Sequence, residues 1–376
     1  MENNVNDIKR IFLPHKKTYL EEVMHMENIM TGCYDVLFCN GFIDESIQLI
    51  KNSIFLMEEG YYDCAFYSIR QSSEVLNNML MCANDKNIYL KWCEKSDFPP
   101  DNQVIKKLKK VDEVYSEFNI IFKDFFDNFE NYKKKSNKII HKQGFDTYYK
   151  KIMNSKQIDI IHSNYIELYD CFIKYAICKI YFMVVILDPM TLILSIEEFR
   201  RKVSVLPLSN PIDLDIFKKF CNIDFLEAIK DSNFYKNISN YYGNKDTLNE
   251  STYNVIHEMY FDLENLNDIN LQRYLLDIPE TIILDILLYR IKISAFYIDG
   301  SILLKYNTSI KSKFVGYGDF SNKFEKYNLK INNFNIPYNN IFISILYYND
   351  FSLVLEHNEK LEDVDINKIV RIQFKE

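Results

Sequence analysis

Glycine and proline are scarce in this chain, with 8 of each among 376 residues. Chains that remain unfolded are usually poor in apolar and aromatic residues, whereas this sequence is 48% hydrophobic and 15% aromatic. Global disorder is therefore excluded, and regular secondary structure is expected over most of the chain. Because the length exceeds the usual size of one domain, two domains are expected.

An excess of positive charge is also missing, since the net charge is −8 and the isoelectric point lies near 5.5. General nucleic-acid binders present a positive field over a whole face of the protein. Any contact of this chain with nucleic acid must therefore come from a local basic segment.

Metal-binding and membrane-spanning patterns are absent as well. The eight cysteines never form a CxxC pair, so we interpret them as buried free thiols of a reducing cytosol. His257-Glu258 lacks the second histidine of an HExxH motif, so neither a metal nor a cofactor is predicted. The longest apolar run, 176–187, is interrupted by Lys179 and is shorter than the roughly 20 residues that span a bilayer. Without a signal peptide at the N-terminus, the expected location is the cytoplasm, with no membrane contact.

Helical periodicity dominates the first 190 residues, where apolar residues recur every three or four positions. The pattern predicts four or five helices and no strand, with helical segments at 42–57, 62–80, 104–129, 131–141 and 158–187. Gly60 is expected to end the first of these helices, and Asp188-Pro189 the last. Residues 1–190 are therefore predicted to form an all-α bundle.

The pattern changes after residue 190. Leu206-Pro207 and Asn210-Pro211 indicate turns of an interdomain linker, so residues 191–376 are assigned to a second domain. Helices are predicted there at 213–221 and 280–290. Asp299-Gly300 lies between alternating apolar residues and predicts a hairpin over 292–306. A second hairpin at 341–356 and a strand at 369–374 complete the predicted α+β domain.

Two segments of the first domain carry a resemblance to a known family. In the segment 50–65 a helix ends at a Gly60-Tyr61 turn, and the next helix carries Arg70 and Glu74. The later segment 133–141 reads Lys-Lys-Lys-Ser-Asn-Lys-Ile-Ile-His. Over about residues 28–188 the chain resembles HEPN domains, which begin with a helix hairpin of this kind.

The HEPN signature is an Arg, usually followed by Asn, and then a His, with four to six residues between the Arg and the His. Asn137 and His141 match this signature, while Ser136 stands at the arginine position. The resemblance implies a HEPN-like helical domain that forms a homodimer with the two motifs face to face. It also implies a metal-independent endoribonuclease, or a derivative of one, in bacterial antiviral defence or a toxin–antitoxin system.

The chemistry of the motif can be derived from the residue types. Asn137 and His141 are four positions apart, so on a helix both side chains can address one phosphate. A histidine can act as general acid or base near neutral pH, Asn137 can orient the phosphate, and Lys135 is the candidate for charge stabilisation. The predicted RNA-binding lysines are Lys133, Lys134, Lys138 and Lys142. The predicted supporting residues are Arg70, Glu74 and Ser136.

Each of these residues also has a purely structural interpretation. His141 can end its helix, where the helix dipole favours a positive charge, and the lysine run can be a solvated helix face. Arg70 and Glu74 can form an ion pair on a helix surface. The alternative function is therefore a non-catalytic, dimeric binding or regulatory protein whose helical domain binds RNA or a partner protein. In both cases residues 191–376 would sense a trigger or hold a protein partner.

Overall fold

The computed structural model describes residues 10–96, 98–153, 155–300, 303–314, 327–348 and 350–373. The chain divides into two compact units. The first extends to Arg200 and resumes at Leu208–Asn244, and the second comprises Arg201–Pro207 and the chain from Lys245 onward. Among the described residues, no helix combines the length and the apolar character that are needed to cross a bilayer.

The described part of the first unit consists of helices joined by loops. The α-helices are α1 (Lys16–Met26), α2 (Asn40–Glu58), α3 (Tyr62–Asn84), α4 (Lys86–Cys93), α5 (Asp101–Val111), α6 (Glu113–Ile121), α7 (Lys123–Ile140), α8 (Tyr149–Met153), α9 (Ile158–Leu187), α10 (Met190–Ser195), α11 (Glu197–Arg200), α12 (Asp215–Cys221), α13 (Phe225–Ile229) and α14 (Asn233–Gly243). Short 3-10 helices lie at Tyr34–Cys39 and Phe145–Thr147. No described residue before 190 lies in a strand, as the sequence predicted.

The helices α2 and α3 form the predicted hairpin. Gly60 adopts φ 82°, a left-handed conformation that glycine tolerates best. The Tyr61 N–H donates to the Leu56 carbonyl at 2.9 Å, and the Gly60 N–H donates to the Met57 carbonyl at 3.1 Å. These two bonds form a Schellman cap, which satisfies the last carbonyls of α2 and turns the chain into α3.

The region 104–140 differs from its prediction, because it contains three helices where the sequence predicted two, at 104–129 and 131–141. Asp112 adopts an extended conformation, and its carboxylate accepts from the Tyr115 N–H at 2.9 Å. Asp112 therefore ends α5 and caps α6. The third helix, α7, already begins at Lys123, whereas the sequence placed its start near 131.

Residues 208–244 belong to the first unit, although the sequence analysis grouped them with the second domain. The reason is an aromatic cluster: the ring of Phe217 lies 4.6 Å from Phe182 of α9 and 4.5 Å from Phe225. Burial of three aromatic rings outweighs the turn signals at 206–211, which mark only the crossing of the chain between the units.

The second unit combines helices with one mixed sheet. Its helices are α15 (Glu250–Glu258), α16 (Leu266–Leu271), α17 (Ile278–Leu288) and α18 (Asp363–Gln373), with a 3-10 helix at Arg273–Leu275. Its strands are β1 (Tyr260–Phe261), β2 (Ala295–Asp299), β3 (Leu304–Thr308), β4 (Asn333–Tyr338), β5 (Ile341–Tyr347) and β6 (Ser352–His357). The strand order is β1-β3-β2-β6-β5-β4. The coarse prediction, a helical part followed by a part with helices and strands, is confirmed.

The two predicted hairpins are present in this sheet. Strands β2 and β3 pair antiparallel with Ile298 opposite Leu304, and β5 and β6 pair antiparallel with Tyr347 opposite Ser352. Strands β1 and β4, which were not predicted, lie at the two edges of the sheet. The edge strand β4 contains an irregular register, a left-handed Asn335 with φ 59°, and Pro337.

The predicted strand at 369–374 is wrong, because residues up to Gln373 belong to α18 and residue 374 lies outside the described residues. Ile369 and Ile372 are both buried and three positions apart, a spacing that a helix places on one face. Asp363 and Asp365 occupy the first turn, where carboxylates stabilise the positive end of the helix dipole. Both isoleucines enter the core formed with α17, β2 and β6.

Candidate functional site

Five of the ten predicted site residues lie along the contact between α3 and α7, and they are Arg70, Glu74, Lys133, Asn137 and Lys142. Polar side chains of α3 meet partners on α7, on α5 and just after α7. We call this group the polar seam, and its members are Asp63, Arg70, Glu74, Asn77, Asp101, Lys133, Asn137 and Lys142. Three parts of the seam differ in their exposure and in their bonding.

At one end of the polar seam, Lys142 pairs with Asp63 through Nζ and Oδ2 at 2.7 Å. The Lys142 ammonium also lies 4.0 Å from the centre of the Tyr149 ring, and the Tyr149 hydroxyl donates to Asp63. Burial alone would raise the pKa of Asp63, but the bonds from Lys142 and Tyr149 lower it. Lys142, a predicted RNA-binding residue, is therefore engaged within the chain.

In the middle of the seam, Arg70 connects two helices. Its Nε donates to Glu74 Oε1 at 2.7 Å, and its Nη1 donates to Asn137 Oδ1 at 3.2 Å. The Arg70 side chain keeps 25% of its surface exposed. The predicted ion pair with Glu74 is present, and it is joined by a contact to the motif residue Asn137, 67 positions later in the chain.

At the buried end, Lys133 Nζ lies 2.5 Å from Asp101 Oδ2 and 3.7 Å from Glu74 Oε1. Asn77 Nδ2 donates to the other Asp101 oxygen at 2.6 Å. Burial would raise the pKa of Asp101, but nearby Lys133 and Lys179 lower it. Lys133 is only 8% exposed, so it lies in the interior and does not belong to an exposed basic surface.

Lys179 of α9 lies beneath this end of the seam and was noted in the sequence only as an interruption of an apolar run. Its Nζ donates to Ser73 Oγ at 2.5 Å and lies 4.6 Å from the centre of the Phe129 ring. Burial lowers the pKa of Lys179 to about 8. A single lysine within the otherwise apolar run 176–187 is the signal by which its burial could have been predicted.

Ser136 is fully buried, and its hydroxyl donates to the Lys133 carbonyl at 2.9 Å. Position 136 therefore points into the helical bundle, where an arginine would have to bury its guanidinium. The guanidinium closest to the motif comes instead from Arg70, on a different helix. The spacing of the motif alone could not have indicated that the guanidinium comes from Arg70 on α3 and not from position 136 on α7.

An exposed ridge runs along the last two turns of α7. It consists of the exposed Lys134, Lys138 and His141 and the half-buried Asn137, and we call it the α7 ridge. His141 is exposed directly after the helix, and its backbone N–H donates to the Asn137 carbonyl at 2.9 Å. At about 100° per residue, Lys134 lies about 20° from His141 around the helix axis, and Lys138 about 60°.

Lys135 lies on a different side of α7, about 120° from His141 by the same helix geometry. Its ammonium is 5.8 Å from the centre of the Tyr132 ring, which packs against Tyr175 of α9. The structure therefore separates Lys135 from Asn137 and His141. Lys134 and Lys138 are the lysines that flank the motif.

No protein-family model, no curated protein and no solved structure matches the chain. The relationship to HEPN domains therefore remains a prediction that rests on the residues of the motif. Within the described ranges, no three histidine, cysteine or carboxylate side chains come together in an arrangement that could hold a metal ion.

Proposed function

We propose that this chain is an RNA-directed effector of the HEPN-like type, a metal-independent endoribonuclease or a derivative of one, in bacterial defence or a toxin–antitoxin system. The observation that carries the proposal is the hydrogen bond from Arg70 to Asn137. This contact brings a guanidinium beside the amide of Asn137, one helical turn from the exposed imidazole of His141. These three groups supply a charge stabiliser, an orienting amide and one proton-transfer group for cleavage of a phosphodiester by its own 2′-hydroxyl.

In the proposed reaction the 2′-oxygen of the ribose attacks the adjacent phosphorus and the bond to the 5′-oxygen breaks. The products are a 2′,3′-cyclic phosphate and a 5′-hydroxyl. His141 takes one of the two proton transfers, either from the 2′-hydroxyl or to the leaving 5′-oxygen, and the other proton is exchanged with water. Asn137 orients the phosphate, and Arg70 stabilises the charge that develops on its oxygens.

The α7 ridge supports the same proposal through charge. Lys134 and Lys138 are exposed on the side of α7 that carries His141, and ammonium groups on such a ridge attract the phosphates of an RNA strand. We further propose that the helical unit forms a homodimer in which two ridges share one cleft, as the resemblance implies. The second unit then senses the trigger or binds a protein partner.

The test incubates purified protein with total RNA or tRNA and compares the wild type with His141→Ala and Arg70→Lys. Loss of a positioned acid or base is expected to reduce the rate about 10²–10⁴-fold. Arg70→Lys keeps the charge but loses the planar fork, and we expect a reduction of up to about 10²-fold. Lys135→Ala, on the other side of the helix, is the matched control and should cleave as the wild type does. Equal RNA profiles for wild type and His141→Ala would remove the catalytic proposal.

The second candidate is a non-catalytic binding protein, and the burial of Ser136 favours it, because the signature arginine is missing from α7 itself. In that case the wild type binds RNA or a partner protein without cutting it. For RNA, Lys134→Ala and Lys138→Ala should each weaken binding similarly for all sequences and lower the salt dependence of affinity by about one counterion. The Lys135→Ala variant again serves as the control.

A further inference from the structure

Two thiols from distant parts of the chain meet inside the first unit. Cys178 lies in the C-terminal half of α9, and Cys221 is the last residue of α12, 43 positions later. Their sulfur atoms are 3.4 Å apart, with the Cys221 thiol directed at Cys178 Sγ. The Cys178 thiol in turn lies 3.8 Å from the carbonyl oxygen of Ile216. Among the described residues, this is the one pair of cysteine sulfurs in direct contact.

We propose that Cys178 and Cys221 form a redox couple that a hydroperoxide converts into an intramolecular disulfide. A disulfide brings its sulfur atoms to about 2.05 Å, so the two atoms must approach by about 1.4 Å. Cys221 can make that movement because α12 ends there, and the next residue, Asn222, is left-handed with φ 55°. Cys178 is held within a long central helix and stays in place.

The difference in exposure between the two thiols sets the order of the chemistry. Cys221 is partly exposed, whereas Cys178 is fully buried. Burial raises the pKa of the Cys178 thiol well above its usual value, and Cys221 raises it further. A buried protonated thiol is a poor first nucleophile, so Cys221 reacts first with the oxidant.

In the first step the Cys221 sulfur attacks one peroxide oxygen and the O–O bond breaks, giving a sulfenic acid and one molecule of water or alcohol. In the second step the Cys178 sulfur attacks the sulfenic sulfur. The S–S bond forms, the sulfenic oxygen leaves as water, and the proton of the Cys178 thiol is taken up in that water. Two thiols are oxidised by two electrons, and one hydroperoxide is reduced.

The bond would join α12 to the helix that packs against both α3 and α7. It would close a loop of 43 residues, which restricts the unfolded chain and stabilises the helical unit. This inference is independent of the proposed function, because neither cysteine belongs to the polar seam or to the α7 ridge. A dithiol reductant should reverse the reaction.

The test treats the full-length chain with hydrogen peroxide and counts the free thiols after denaturation. Two of the eight thiols should be lost, and a non-reducing peptide map should show Cys178 joined to Cys221. In Cys178→Ser, dimedone should label the sulfenic acid of Cys221, and in Cys221→Ser the bond should be absent. Cys64→Ser, which removes an exposed thiol elsewhere, is the control and should form the bond normally.

Several outcomes of the same map would overturn the proposal. Cys171 also lies on α9, two helical turns before Cys178, and it is the nearest competitor on that helix. A bond between Cys171 and Cys221, bonds between different chains, or a sulfonic acid at Cys221 of the wild type without any cross-link would each contradict it. Because the map is made on the wild-type protein, its result does not depend on whether a variant folds.

Discussion

Replacing Lys179 by methionine tests the electrostatics of the helical unit directly. Methionine has a similar length and no charge, so it fills the same space without an ammonium group. Lys179 is 3% exposed, and its pKa falls from 10.5 to about 8, chiefly because burial removes the ammonium from water. At about 1.36 kcal/mol per pH unit, this lowering corresponds to about 3 kcal/mol of stability lost by the folded chain.

The sign of the effect follows from proton binding. Below pH 8 both folded and unfolded chains carry the charge, and the full penalty applies. Between about pH 8 and pH 10.5 the folded chain loses its proton first, so stability rises with pH, and above that range the penalty is gone. The variant loses one hydrogen bond to Ser73, which costs about 1 kcal/mol. Asp101 remains paired with Lys133 and Asn77.

We therefore expect Lys179→Met to be about 2 kcal/mol more stable than the wild type at pH 7, with the difference shrinking toward pH 10. Urea unfolding followed by tryptophan fluorescence measures this unit, since Trp92 of α4 is the one tryptophan of the sequence. Lys174→Met, on the same helix with a partly exposed ion pair to Asp170, is the control and should change stability by less than about 1 kcal/mol. A variant less stable than the wild type at pH 7 would refute the reasoning.

Two further predictions concern burial in the two units. Lys133→Met should destabilise the helical unit by about 3–5 kcal/mol because it leaves the buried Asp101 carboxylate with less compensation. The lowered pKa of Asp101 contributes stability at neutral pH, and this stability is lost as the pH falls through the pKa of the folded state. The variant lacks the stabilising pair and should therefore unfold at a higher pH than the wild type during acidification. Acid unfolding at the same pH in both proteins would argue against the Lys133–Asp101 pair. Ile369→Ala should destabilise the second unit by about 2–5 kcal/mol, measured by hydrogen exchange of β2 and β6. Val364→Ala, on an exposed position of the same helix, should have an effect within about 0.5 kcal/mol, and an equal effect of both would contradict the burial argument.

Local patterns were sufficient to predict several elements of the fold. The helix α9 was predicted with its observed ends, 158 and 187. Its apolar spacing and the Asp188-Pro189 stop are signals between residues that are close in the sequence, so they can be read without knowing the tertiary fold. The hairpin β2–β3 was predicted from Asp299-Gly300 for the same reason. Contacts between distant segments are different, since the packing of Phe217 against Phe182 depends on the tertiary fold and carries no local signal.

The candidate site was predicted as a set of residues, but their separation into buried and exposed groups was not. Three consecutive lysines look alike in the sequence, yet Lys133 is buried while Lys134 and Lys135 are exposed. The position of each lysine around the axis of α7 decides which one is buried. Lys133 lies four positions after the buried Phe129 and three before the buried Ser136, so it is on the buried face of the helix. The helix was predicted to start near 131 and so did not include Phe129. The row of buried residues that contains Phe129, Lys133 and Ser136 could therefore not be recognised from the sequence.

The two edges of the sheet in the second unit determine how that unit can meet other chains. One edge strand, β1, is only two residues long, and the other, β4, is interrupted by a left-handed asparagine and by a proline that has no N–H to donate. Long, regular edges act as templates for strand addition, and irregular or short ones prevent it. This unit is thus protected against aggregation through its edges, and a partner protein would have to recognise side chains of its helices or loops rather than extend its sheet.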